Sequence, residues 1–255
     1  MIELQEVTKN FGDVAAIRGL SCTFPENRVV GIIGANGSGK TTMMRLISSI
    51  MRPTSGKILV NQIDTAVQPH EIKKEIGFML GGDTALFPRL TAKENIIFWA
   101  RLQGMNRKEA AERTEQLKYA LHMEDFFDRC IDGFSRGMRQ KVLFAQTIVH
   151  APKILLLDEP STGLDIFTVL EIQKMIKNYK KQAGTSILIS SHNMDELENL
   201  CDDIMIINKG EKVFLGSKED LLKEHRTHRI ADAFEITVAK EVSTCNDAVS
   251  YTHLT

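Results

Sequence analysis

The sequence predicts an α/β fold built on a parallel sheet. Three observations carry this reading: short continuous apolar runs, helical patterns between them, and one glycine-rich segment set between a strand and a helix. Val29 to Ile33, Ile154 to Leu157 and Ser186 to Ile189 are apolar at nearly every position, as strands covered on both faces are. Helical periodicity runs over Thr41 to Ile50, Arg107 to His122, Met138 to His150, Phe167 to Gln182 and Met194 to Leu200. Strands alternating with helices imply crossover connections and parallel pairing.

The flanks read differently. Residues 1–27 and 56–67 alternate apolar and polar side chains, as in Ile2-Glu3-Leu4-Gln5 and Lys57-Ile58-Leu59, which predicts a small antiparallel sheet with one wet face. From about Thr84 to Arg136 strand signals vanish and helix signals dominate, marking a helical insertion. Asn208-Lys209-Gly210-Glu211 is a near miss to a guanine-reading loop. It lies between Ile204-Met205-Ile206-Ile207 and Lys212-Val213-Phe214, so it reads as strand-turn-strand. Lys240 to Thr255 has no periodicity and is expected to be a disordered or foreign tail.

Composition excludes several functions. The chain has 255 residues with 32 basic against 33 acidic side chains, which removes the electrostatic footprint of a nucleic-acid binder. The longest stretch without Asp, Glu, Lys or Arg is Gln182 to Met194, short of the roughly 20 apolar residues that cross a bilayer. Met1 to Glu6 carries neither a basic region nor an apolar core of a signal peptide, so a cytoplasmic location is expected. Cys22, Cys130, Cys201 and Cys245 are widely spaced without CxxC and read as buried or unremarkable surface thiols.

The chemistry begins at Gly34-Ala35-Asn36-Gly37-Ser38-Gly39-Lys40-Thr41, followed by Thr42. The pattern GxxxxGK[ST] after a buried strand and before a helix is a phosphate loop. Its glycines let successive N–H groups converge on phosphate oxygens, and the helix N-terminus adds partial positive charge. Lys40 would reach the β and γ phosphates and the Thr41 hydroxyl one corner of Mg²⁺. A second apolar strand ends in Asp158-Glu159. Asp158 would hold Mg²⁺ through water, and Glu159 would orient or deprotonate the attacking water.

Three further segments separate this chain from other P-loop proteins: Phe134-Ser135-Arg136-Gly137-Met138-Arg139-Gln140, Asp158-Glu159-Pro160-Ser161-Thr162-Gly163-Leu164-Asp165, and Ser190-Ser191-His192. In order and spacing, from about Ile2 to Leu222, the chain resembles the nucleotide-binding subunit of an ABC transporter. The first segment resembles its LSGGQ signature, the second its Walker B and D-loop, the third its H-loop. The resemblance implies a RecA-like P-loop NTPase core with an antiparallel β subdomain and a helical insertion. It implies ATP and Mg²⁺ as ligands, a transmembrane permease as partner, and a place on the inner face of the membrane. It further implies a head-to-tail dimer in which ATP lies between Lys40 of one copy and Ser135 and Gly137 of the other, with Asp165 at the same interface. His192 takes the position that contacts the γ-phosphate, and Phe11, before Gly12, the aromatic position on which adenine stacks. The ATPase domain is expected over 1–225, its helical subdomain over about 84–144, and an extension over 226–255. His225 and His228 are expected at a solvated helix end.

Two departures stand out. Arg136 and Met138 occupy positions where the family has Gly and Gln. After Ile76-Gly77-Phe78-Met79-Leu80 the chain has Gly81-Gly82-Asp83 in place of the Q-loop glutamine, which suggests a hinge. The next segment, Thr84 to Asn95, is where the family cradles a coupling helix of the permease. The Gly81-Gly82 variant, Thr91-Ala92-Lys93-Glu94-Asn95 and Phe134 to Lys141 are similar to the ATPase subunits of sodium-extruding ABC exporters. The alternatives are an exporter of a drug, peptide or lipid, or a soluble ABC ATPase.

Overall fold

The computed structural model describes residues 1–81 and 86–239, the Gln182 side chain apart. A small sheet, ordered β2-β1-β4-β5, is wholly antiparallel. It comprises β1 (Ile2–Phe11), β2 (Val14–Phe24), β4 (Ser55–Val60) and β5 (Ile63–Asp64). The large sheet is built from β3 (Val29–Ile33), β6 (Ile76–Met79), β7 (Ile154–Asp158), β8 (Ser186–Ser190), β9 (Asp203–Asn208) and β10 (Glu211–Ser217), in the order β10-β9-β3-β8-β7-β6. Its pairings are parallel except β9 with β10.

The continuous apolar runs have a direct explanation. Successive side chains of a strand point to opposite faces, and here both faces are covered. Val29, Ile33, Leu155, Leu157, Ile187 and Ile189 enter one apolar cluster, with α5 (Arg136–Ile148), α6 (Ile166–Ala183) and α7 (Met194–Leu200). Val30, Ile32, Ile154, Leu156 and Leu188 enter the other, with α1 (Lys40–Ile47) and the antiparallel sheet. At roughly 1.5–3 kcal/mol per buried aliphatic side chain, the two layers hold the strand ends, and thus the loops leaving them, in fixed positions.

The other helices are α2 (Pro69–Glu75), α3 (Ala92–Leu102), α4 (Arg107–Ala120) and α8 (Lys218–Glu224), with a further helix over 230–239. Strand pairing between 86 and 136 is limited, among the described residues, to one isolated bridge, Thr91 with Cys130. Thr84, Ala85, Gly82 and the 240–255 tail, with Cys245, lie outside the described residues.

Thr91 to Asn95 proves to be a structural unit. Thr91 caps α3, its hydroxyl accepting from the Glu94 N–H while Glu94 accepts from the Thr91 N–H, a reciprocal capping box. Asn95 is fully buried. Its side chain accepts from the Phe87 N–H at 2.8 Å and donates to the carbonyls of Phe87, Leu90 and Thr91, so one amide fixes the loop that precedes the helix.

Two expectations need correction. The helix expected to reach Ile50 ends at Ile47, because Ser49 turns left-handed at φ 60° and the Ile50 and Met51 N–H groups both return to the Arg45 carbonyl. His225 is not at a solvated helix end. It ends α8 half-buried beneath the 230–239 helix, with Nε2 3.0 Å from the Thr237 hydroxyl. Cys22, Cys130 and Cys201 are free thiols, and burial pushes Cys22 up to about 11. No helix of the described residues is long and apolar enough to cross a membrane.

Candidate functional site

In a parallel sheet, ligands bind beyond the carboxyl ends of the strands, and the predicted residues gather there. β3 runs into the 34–39 loop and then α1. Gly39 is the N-cap at φ 110°, and a side chain there would meet the Ala16 carbonyl at 2.7 Å, so only glycine fits. The Gly210 N–H donates to the Ser38 carbonyl at 2.9 Å, bracing the loop from the β9–β10 hairpin. The turn there has Lys209 and Gly210 both at positive φ, as a two-residue hairpin turn requires. Asn36 and Gly37 are exposed, Thr42 is half-buried, and Ser38 is buried with no partner for its hydroxyl.

Lys40 is 6% exposed and folds back over the loop, donating from Nζ to the carbonyls of Gly34 at 2.6 Å and Ala35 at 3.1 Å. Burial lowers its pKa, and the charges of Glu159 and Asp158 oppose that shift. The Thr41 hydroxyl donates to Asp158 Oδ2 at 2.8 Å, and Ser190 donates to Oδ1 at 2.6 Å. P-loop helix, β7 and β8 are thereby joined through one carboxylate.

Glu159 sits one residue further, at φ 50°, a conformation uncommon outside glycine. Its N–H donates to both the carbonyl and the hydroxyl of Ser190. His192 Nε2 lies 2.7 Å from Oε1, and the Thr162 hydroxyl donates to Oε2 at 3.1 Å. Glu159 and His192, from two different strand ends, are thus in direct contact.

Ser135, Gly137 and Asp165 form a second group, where the N-termini of α5 and α6 meet. Ser135 caps α5, accepting from the Met138 N–H at 3.2 Å. A side chain at Gly137 would meet Thr168 at 2.8 Å. Asp165 caps α6, and its hydrogen bonds from the Thr168 hydroxyl and N–H hold its carboxyl below the usual range. The departure at Arg136 has a physical counterpart: its guanidinium lies over Gly163, which turns at φ 71° beneath it. Gln140 bonds the Pro160 carbonyl and so ties the second group to the strand that carries Asp158. Phe11 stands apart, 48% exposed, with Lys9 Nζ 5.3 Å from its ring centre. Gly81 is exposed, and an added Cβ would lie 3.2 Å from the Asp158 carbonyl.

Sequence reasoning missed Glu196. This fully buried carboxyl accepts from the Ser161 hydroxyl through Oε1 and from the Ser191 hydroxyl through Oε2 at 2.6 Å. It ties the segment after Glu159 to the segment before His192. Burial raises its pKa, and the two serine hydrogen bonds oppose that shift. Its contribution to stability is therefore complete below the ordinary glutamate value and lost as pH rises through the raised one. Urea unfolding across that window should show the wild type losing stability relative to Glu196→Gln as pH increases; parallel pH profiles would refute the assignment.

The comparisons agree with this geometry. The sequence profile of the ABC transporter family matches residues 17–162. The chain is 42% identical over 247 residues to the ABC transporter ATP-binding protein NatA of Bacillus subtilis, covering 95% of this chain and 100% of NatA. It is 31% identical to the Fe(3+) ions import ATP-binding protein FbpC of Escherichia coli K12, over 88% of this chain and 64% of FbpC. Among solved structures, the dimeric post-hydrolysis state of the ATP-binding cassette MJ0796, bound to ADP and Pi, superposes with a TM-score of 0.77 at 26% identity, covering 85% of this chain and 98% of that one. A P-loop between a buried strand and a helix, an acidic pair at the end of β7 two strands away in the same sheet, and a match to the full length of NatA place the chain in one family: it belongs to the ABC transporters, as an ATP-binding subunit with ATPase activity.

Proposed function

We propose that this subunit drives export of Na⁺, acting as a head-to-tail dimer on a separate permease at the inner face of the membrane. The observation carrying the cargo is the likeness of Gly81-Gly82, Thr91 to Asn95 and Phe134 to Lys141 to sodium-extruding exporters. The end-to-end match with NatA supports the same subunit organisation. Import is the second reading, favoured by the likeness to FbpC. A groove of about 320 Å³, lined by Phe78 and Met79 of β6, Leu80 after it, Trp99 on α3, and Leu143 and His150, suits a helix of the permease.

The residues divide the chemistry among them. Main-chain N–H groups of 34–39 and the Lys40 ammonium hold the phosphates, and the unpartnered Ser38 hydroxyl is available to them. Thr41 and Asp158 supply hard oxygen donors 2.8 Å apart, which suit Mg²⁺ better than a closed protein cage would. Bound there, the ion neutralises phosphate charge. Water attacks the γ-phosphorus, its proton passes to Glu159, and the bond to the β–γ bridging oxygen breaks, giving ADP and phosphate. His192 holds Glu159 and faces the γ-phosphate. Ser135 and the Gly137 N–H of the second copy close the site across the interface, with Asp165 beside them. Phe11 stacks on adenine. The ATPase domain is assigned to 1–225 with its helical part over about 84–144, and 226–255 to an extension whose 230–239 helix packs back on that domain through Ile230 and Ala233.

Coexpression with the cognate permease tests the cargo. Inverted vesicles should accumulate radiolabelled Na⁺ when given ATP and should lose that uptake with Glu159→Gln. Intact ATPase without Na⁺ movement would reject the cargo, and ATP-driven Na⁺ loss from the vesicles would reverse the direction.

The dimer geometry has its own test. Ser135→Arg should end hydrolysis while leaving the monomer's ATP affinity within about threefold, because one lost contact made only in the closed dimer is worth about 1–3 kcal/mol there and nothing in the monomer. Mixed with Lys40→Ala chains, it should regain part of its activity, since both lesions then fall on one of the two sites. No recovery would place Ser135 in the site of its own chain.

A further inference from the structure

Helices α4, α5 and α6 enclose a cavity of about 440 Å³ that shares no lining residue with the nucleotide site. Its wall is mostly apolar, with Leu117 and Leu121 from the α4 side, Phe144 and Ile148 on α5, and Met175 on α6. Two groups break this pattern. Tyr179 on α6 is 8% exposed, with its ring edge-on to Phe144 at 6.3 Å. Its buried hydroxyl makes no close hydrogen bond. Thr185 lies beside it as a weak partner, its own hydroxyl donating to the Pro152 carbonyl at 3.4 Å. Burial raises the Tyr179 pKa, so the group is a hydrogen-bond donor at neutral pH.

Arg113 on α4 faces the same cavity. Its Nε is buried and unpartnered, and Nη1 reaches only the neutral Gln116 amide at 3.2 Å. No Asp or Glu lines the cavity. A half-buried guanidinium with no anion and a buried phenol with only a weak acceptor are under-satisfied donors, and they ask for the same complement. That complement is an anion that accepts from both, on a body that covers the apolar wall. A carboxylate matches the planar guanidinium fork better than a point anion does, and the volume falls among ordinary ligand sites of about 300–1,000 Å³.

We propose that this cavity binds a small amphipathic carboxylate, its head held by Arg113 and Tyr179 and its tail lying against Leu117, Phe144 and Met175. Octanoate is a suitable probe and octanamide its neutral control, titrated calorimetrically into the full chain. Octanoate should bind saturably at one site per chain and octanamide at least about tenfold more weakly. Arg113→Gln should weaken octanoate at least about tenfold and Tyr179→Phe about threefold or more, with ATP binding showing that each variant is folded. Should either variant fail to fold, Ala120→Trp at the exposed end of α4 obstructs the cavity with both donors intact, and it should abolish octanoate binding. Absence of saturable binding leaves water as the only occupant and overturns the proposal. So do equal affinities for the two probes, or wild-type affinity in the folded variants.

Discussion

Lys40→Ala should weaken ATP binding at least about thirtyfold, since losing one partner of a buried, hydrogen-bonded charge pair costs about 2–5 kcal/mol. The phosphates would lose the one side-chain cation that the loop brings to them. Burial draws the Lys40 pKa down while the charges of Glu159 and Asp158 oppose that shift. Without phosphate, Nζ is occupied by the carbonyls of Gly34 and Ala35; binding exchanges two neutral acceptors for charged ones, which is where the affinity arises. Alanine is the best helix former, so α1 should survive the change. Equilibrium binding of labelled ATP checks the expectation, and undiminished affinity would remove the phosphate role from 34–41.

What was legible in the sequence follows from how local each signal is. The phosphate loop is a run of neighbours whose spacing is its geometry, and α7 was read to the residue because Asn193 caps it and Cys201 leaves the helical conformation after it. The strands were legible because both faces are covered and every position is apolar. Glu196 was not, because its partners Ser161 and Ser191 come from separate strand ends and nothing near it in sequence announces a buried carboxyl. His225 was misread for the same reason, its cover being supplied by the 230–239 helix. Arg136 looked like a bare departure from the signature until Gly163, far along the chain, supplied the space its guanidinium fills. Thr91 to Asn95 reads in the sequence as a likeness to the sodium exporters, yet Thr91, Glu94 and Asn95 build the start of α3 and Lys93 pairs with Glu115 on α4.

The change expected to cost most in turnover is Glu159→Gln, about 10²- to 10⁴-fold in the rate of hydrolysis, the usual worth of a positioned general base. Position and basicity are separable here. The main chain at Glu159 is held by two hydrogen bonds to Ser190 and by its left-handed turn, neither of which depends on carboxylate charge. The side chain spans His192 at 2.7 Å and the Thr162 hydroxyl at 3.1 Å. A glutamine keeps both neighbours, its carbonyl accepting from Thr162 and its amide N–H donating to an imidazole whose free nitrogen faces it. What disappears is an acceptor for the proton of the attacking water. ATP should therefore bind within about threefold of wild type, since a general base acts on the transition state far more than on the ground state. The closed dimer, no longer relieved by hydrolysis, should persist in ATP and be visible by light scattering. Removing the histidine instead, as His192→Ala, leaves Glu159 basic but tethered only to Thr162, so turnover should fall without the ATP-locked dimer being as long-lived. Hydrolysis by Glu159→Gln within about tenfold of wild type would place the base elsewhere, and the contact between His192 and Glu159 would then be a brace between two strand ends.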